Sequence, residues 1–196
     1  MSTRAERLYT ADEYLAIERA SDHKSEFVNG RIHAMTGAAW SHNQIVSNIV
    51  IHVGARLQGR GCSIVSGDQR VKVSRTGLYT YPDVVALCGP PQLEDAHLDT
   101  LTNPGVIFEV LSRSTELYDR GEKFAHYRKI ESLREYILVG QNGVHVEQFV
   151  RHGDHWMLSE LTEPADVLRI ETLGCEIPLR LIYDQVVFPP AGPIRD

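Results

Sequence analysis

Two acidic residues sit where acids are costly. Asp83 follows Tyr81-Pro82 and directly precedes the apolar run Val84-Val85-Ala86-Leu87, and Glu109 lies inside Val106-Ile107-Phe108-Glu109-Val110-Leu111. Both runs have the composition of short buried strands. A carboxylate in or beside such a strand needs a metal ion, a lysine or an arginine to offset its desolvation. Two of them on separate strands, 26 positions apart, suggest a divalent-metal site. Each also has a plainer reading. Asp83 can be a strand-start residue bonded to backbone amides, and Glu109 can be half of a buried ion pair with an arginine.

Glu26 and Lys123 extend the set. Glu26 stands beside Phe27, ahead of Asn29-Gly30, and Lys123 follows Glu109 by 14 positions in the run Tyr118 to Tyr127. Three carboxylates and a lysine match what metal-dependent phosphodiester hydrolysis requires. Carboxylate oxygens hold a hard cation such as magnesium. The metal orients or ionises a water and stabilises transition-state charge, and a nearby lysine supports the water or the developing negative charge. The plainer readings are an exposed Glu26 before a turn and a helix-surface ion pair between Lys123 and Asp119, four residues apart.

Other polar residues carry weaker signals. His42 opens a helical run and reads as a cap-region residue or a phosphate contact. Gln69 and Arg70 lie on a strand neighbouring that of Asp83. His152-x-x-His155 has no third ligand nearby. Ser112 and Ser114 lack the GxSxG elbow of a serine hydrolase. Arg113, Arg120, Lys123, Arg128 and Lys129 form either a phosphate-facing ridge or a solvated helix face.

The elements that must position these groups can be read from periodicity. Thr10 and Glu13 form a capping box that starts a helix. Lys24 to Val28 and Arg31 to Met35 flank Asn29-Gly30, a hairpin signal. Val46, Ile49, Val50, Val53 and Leu57 recur at spacings of three and four, which predicts a helix over 41–57, stopped by Gly59 and Gly61. Strands are predicted over 62–65, 69–73, 83–87 and 106–111. The polar stretch from Gly89 to Gly105 is long for a connection, so a functional or mobile role is expected. Ser114 or Thr115 would cap a helix running to about Ile130. Strands resume over 135–139, 144–150 and 155–161, with Asn142-Gly143 as a second hairpin signal. Residues 8–188 read as a single domain of mixed α/β or α+β class with a central sheet. Residues 189–196, rich in proline, read as a disordered tail.

Bulk properties set the frame. The chain has 196 residues, enough for one sizeable core, and a formal net charge of −6. An acidic balance argues against a general nucleic-acid coat protein, although a local basic groove can act on an acidic background. No apolar run approaches a membrane span and the N-terminus lacks a signal-type stretch, so a cytoplasmic location without membrane association is expected. Cys62, Cys88 and Cys175 are far apart and lack CxxC spacing, which predicts buried free thiols and no structural zinc.

Pro82-Asp83, the run Glu109-Val110-Leu111-Ser112-x-Ser114-Thr115 and the run Tyr118-Asp119-Arg120-x-x-Lys123-x-x-x-Tyr127 together resemble the Uma-type restriction endonuclease family (the second of that name) of the PD-(D/E)XK nuclease superfamily. Tyr9-Thr10-x-x-Glu13-Tyr14-Leu15 and Glu26-x-x-Asn29-Gly30 also fit, so the resemblance spans about residues 8 to 188. It implies a restriction-endonuclease-like fold, with a mixed central sheet flanked by helices, an N-terminal hairpin and C-terminal strands. It also implies magnesium (manganese as a substitute), DNA as substrate and, by analogy, a homodimer. Carried over, Asp83 and Glu109 are the metal-binding acids, Glu26 is the early acid of the same site, and Lys123 is the catalytic lysine. One departure matters: the superfamily lysine lies two residues after the second acid, where this chain has Leu111. The rival expectation is a catalytically weak or inactive nuclease fold serving as a binding or assembly module. A hydrolase of another phosphate ester is a third.

Overall fold

Strand register brings the distant acids to one end of a sheet. The computed structural model describes residues 7–188. Helix α1 (Ala11–Arg19) starts at the expected capping box: Thr10 Oγ1 accepts from the Glu13 amide at 3.2 Å, and Glu13 Oε2 accepts from the Thr10 amide at 2.9 Å. β1 (Ser25–Val28) and β2 (Arg31–Ala34) form the expected hairpin. Its turn residues Asn29 and Gly30 have φ of 51° and 79°, the left-handed pair that a tight hairpin demands. Then come α2 (Trp40–Leu57), β3 (Cys62–Ser66), β4 (Arg70–Val73), β5 (Leu78–Thr80), β6 (Val84–Cys88), β7 (Thr100–Leu101) and β8 (Val106–Leu111). A broken helix follows: α3 (Glu116–Tyr118), a π-helical turn (Asp119–Lys123) and α4 (Phe124–Tyr127). The chain continues through β9 (Glu135–Gly140), β10 (Val146–His152), β11 (His155–Leu161), β12 (Val167–Ile170), β13 (Cys175–Pro178) and α5 (Leu179–Ile182).

The central sheet has six strands in the order β11-β10-β9-β8-β6-β3. β8 and β9 are parallel and the other pairs antiparallel. A second sheet, β2-β1-β5-β4-β7, carries the N-terminal hairpin, and β12 pairs with β13. The two faces of the central sheet bury different clusters, as strand alternation requires. Val84, Ala86, Val106, Phe108 and Val110 pack against Ile45, Ile49, Val53 and Leu57 of α2 and against Leu179 and Ile182 of α5. Val85, Leu87, Ile107, Leu111, Tyr136 and Leu138 pack on the opposite side, against Phe124 and Tyr127 of α4 and Val71, Val73 and Leu78 of the second sheet. Glu109 shares the parity of Ile107 and Leu111, so it points toward the broken helix.

Several expectations need correction. β5, β7, β12, β13 and α5 are not predicted from the sequence, because each spans four residues or fewer and so carries too little periodic signal. The helix expected to reach Ile130 ends at Tyr127 and is interrupted by the π turn. The 89–105 stretch is tethered rather than loose, since Arg19 Nε bonds Asp99 at 2.8 Å and Arg19 NH2 bonds Asp95 at 2.8 Å. The tail expected over 189–196 lies outside the described residues. Among the described residues, no helix is long and apolar enough to cross a membrane.

The cysteine expectation is also overturned. Cys62 and Cys88 form a disulfide, and Cys175 alone of the three is free and half-buried. Register is the reason: β3 lies antiparallel to β6 with Cys62 directly opposite Cys88, which sequence spacing could not reveal. The bridge closes a separation of 26 residues on the edge of the sheet that carries Asp83. Loop-closure entropy makes such a crosslink worth about 3 kcal/mol. Reduction with dithiothreitol is therefore expected to lower the unfolding free energy by that scale, read as a lower urea midpoint. An unchanged midpoint would show that the bond does not form in solution.

Candidate active site

Each acid reaches the site from a different element. Glu26 projects from β1, and the Thr80 hydroxyl of β5 donates to its Oε1. Asp83 stands at the entrance to β6, beyond Tyr81-Pro82. The Val110 amide of β8 donates to Asp83 Oδ2 at 2.7 Å, and the Asp83 amide approaches Glu109 Oε2 at 3.4 Å. Glu109 is almost fully buried, and the Tyr127 hydroxyl donates to its Oε1 at 2.9 Å.

Lys123 closes the set from the helix. Its ammonium lies 2.9 Å from Glu109 Oε1, 3.3 Å from Glu26 Oε1 and 3.5 Å from Asp119 Oδ1. The π turn that spans Asp119–Lys123 turns both side chains into the protein, and both are buried. Such turns inside helices often mark functional positions. Leu111 itself is buried in the apolar cluster beside α4. The helix thus delivers a cation to the face where the superfamily strand would carry one.

Electrostatics reflect three carboxylates around one ammonium, with Asp83 beside Glu109. Burial pushes the Glu109 carboxyl up to about 8, with Lys123 opposing and Asp83 and Asp119 adding to the rise. Burial also raises Asp119, again against the pull of Lys123. For Lys123 burial favours the neutral amine, but Glu109, Glu26 and Asp119 outweigh it and hold the ammonium well above the ordinary lysine range. These groups line a cleft of about 550 Å³ together with His42, Arg113 and Tyr118.

The pattern of one protein family matches residues 11–180, under the description "Putative restriction endonuclease". The chain belongs to the Uma2 family. An uncharacterized protein of Synechocystis is 36% identical over 156 residues, covering 79% of this chain and 88% of its own length. A second uncharacterized Synechocystis protein is 31% identical over 178 residues, covering 90% of this chain and 92% of its own. The crystal structure of a putative nuclease belonging to DUF820, from Anabaena variabilis, superposes with a TM-score of 0.75 at 15% identity. It covers 91% of this chain and 99% of that one. That likeness is one of fold, and it carries the restriction-endonuclease-like architecture.

Within the Uma2 fold, Glu26, Asp83, Glu109 and Lys123 all line one cleft. They do not form a closed ligand sphere, since Lys123 bridges Glu26 and Glu109. Among the described residues, the trio whose ligand atoms all lie within 4.8 Å of one another is elsewhere: His145, Glu147 and Glu160. There Arg120 NH2 already holds Glu147 Oε1 at 2.7 Å. Gln69 and Arg70 stay out of the cleft. Arg70 is buried against Asp99 and the Tyr81 hydroxyl, at 2.8 and 2.9 Å, and supports the segment that leads to Asp83. His152 and His155 only pair across the β10–β11 turn.

Three residues carry more than their sequence readings give them. His42 was read chiefly as a cap-region residue, yet its Nε2 lies 3.2 Å from Asp83 Oδ2. Asp119 was read as half of a surface ion pair, yet both it and Lys123 are buried. The available signal was its place inside the run that carried the family resemblance. Tyr127, in the same run, was given no role and orients Glu109.

Proposed function

We propose that this Uma2 protein is a magnesium-dependent endonuclease that hydrolyses DNA phosphodiester bonds. The observation that carries this reading is the excess of carboxylates over cations in a cleft: Glu26, Asp83, Glu109 and Asp119 line it, and the ammonium of Lys123 pairs with Glu26, Glu109 and Asp119. Such a set of hard oxygen donors suits a magnesium ion, with manganese as a substitute, and magnesium is usually held by one or two carboxylates with waters completing the shell. Asp83 and Glu109 would hold it, with Glu26 acting directly or through water. When bound, the metal supplies Lewis acidity toward the phosphate and lowers the pKa of water.

The chain's own groups do the rest. The Val110 amide fixes the Asp83 carboxylate, and the Tyr127 hydroxyl fixes that of Glu109. Lys123 offers a permanently charged donor to the water or to the charge that grows on phosphate, preorganised by its carboxylate partners. His42, against Asp83, restricts how that carboxylate can turn.

A plasmid-nicking assay tests the reading. Wild type is expected to nick supercoiled DNA with magnesium and not with EDTA. Asp83→Ala, Glu109→Ala and Lys123→Ala are each expected to lose at least about 100-fold in rate. Nicking that survives loss of both Asp83 and Glu109 would overturn the site. The bridge that Lys123 makes between Glu26 and Glu109 favours a second reading, a nuclease fold kept as a binding or assembly module. Metal binding without nicking of any DNA form would select it.

A further inference from the structure

The chain has two tryptophans, and they are placed in opposite ways. Trp156 packs edge-on against Phe124, at 5.3 Å between centroids, and lies under the Arg151 guanidinium. Trp40 is 77% exposed in the first turn of α2. Its neighbours Ala39 and His42 line the cleft, so Trp40 stands at its rim. Across the cleft lining, Leu117 is 84% exposed between Thr115 and Tyr118, which also line it. An indole joins a large apolar face to a polar N–H, which suits it to a binding surface, and here it stands beside the candidate active site.

Charge makes the indole more telling. The protein is acidic overall and its cleft is lined by four carboxylates, with Arg113 as an exposed cation there. Phosphate attraction alone is therefore weak. Base stacking adds affinity that needs no opposite charge. In a paired duplex both faces of each internal base are covered by its neighbours, so an indole can stack only on a base that is unpaired, flipped out or terminal.

We infer that Trp40 is a stacking platform for an unpaired nucleobase, and that the preferred substrate of this cleft is single-stranded or locally unpaired DNA. The inference rests on the nuclease reading for the identity of the ligand, but its test reads binding rather than cleavage. The full chain carrying Trp156→Phe reports Trp40 fluorescence alone. In metal-free buffer it is titrated with a 20-nucleotide oligothymidylate, a blunt duplex of the same length, and an abasic strand of the same length that keeps the phosphates.

The expected result is quenching by oligothymidylate and little by the duplex or the abasic strand. Trp40→Ala is expected to weaken oligothymidylate binding at least about 5-fold, and Trp40→Phe to keep most of it. Equal quenching by the abasic strand, or unchanged binding by Trp40→Ala, overturns the inference. So does a Trp40→Ala protein that sediments as a smaller species than wild type, because a second copy would then be the occupant. The nuclease reading stands or falls separately. A Trp40→Ala protein that still nicks and binds like wild type sinks only the platform. A wild type that never nicks but is quenched by bases alone keeps the platform and removes the hydrolysis.

Discussion

Glu109→Gln is expected to abolish magnesium-dependent nicking and yet to unfold at higher urea than wild type in metal-free buffer at pH 9. Glu109 is almost wholly buried, and burial raises its carboxyl to about 8 from an ordinary value of 4.5. The native protein therefore keeps a proton that the unfolded chain has already released between those values. With more protons bound to the native state, stability falls as pH rises from about 4.5 to about 8 and is flat beyond. Glutamine mimics the neutral form at every pH. Its amide oxygen can still accept the Tyr127 hydroxyl, so the geometry on that side survives. The variant lacks the decline, and the gap to wild type should open through this window and reach a few kcal/mol at most. Urea melts at pH 5, 7 and 9 check it. A variant less stable than wild type at pH 9 would mean that Lys123 outweighs burial and holds the Glu109 carboxyl below its ordinary value. The loss of nicking follows from removing a charged ligand from the candidate metal site.

Lys123→Met is expected to cost about 3–5 kcal/mol at neutral pH, the scale of removing one partner from a buried charge cluster. Its ammonium touches Glu109, Glu26 and Asp119 and is buried among them. The loss should be non-additive. Adding Glu109→Gln removes one of the stranded carboxyls, so the double variant is expected to be more stable than Lys123→Met alone. Magnesium should raise the unfolding midpoint of Lys123→Met more steeply than that of wild type, because the ammonium no longer competes for the same oxygens. Thermal melts over a magnesium series read this without any cleavage assay. Parallel slopes would show that the lysine and the metal use different oxygens. Both variants are expected to be inactive in nicking, for opposite reasons in stability.

Much of this architecture is local and was therefore legible. The Thr10–Glu13 box, the Asn29-Gly30 hairpin and the periodic face of α2 are short-range signals whose physics lies within a few residues. Acids on apolar strands announced themselves by their expense. What could not be read was set by pairing between distant segments. The Cys62–Cys88 bridge depends on the register of β3 against β6. The burial of Asp119 depends on a π turn that no periodicity announces, and the contact of His42 with Asp83 depends on how α2 lies on the sheet.

The sequence alone determined which groups were available: two costly carboxylates, an early acid in Glu26, one lysine displaced from its usual strand position to a helix, and Leu111 left in its place. The tertiary structure decided that strand parity points Glu109 at that helix, and that Lys123 meets Glu26, Glu109 and Asp119 together. The reason is physical. A side chain's type is written residue by residue, whereas the charge it faces after burial is a property of strands and helices that meet only on folding.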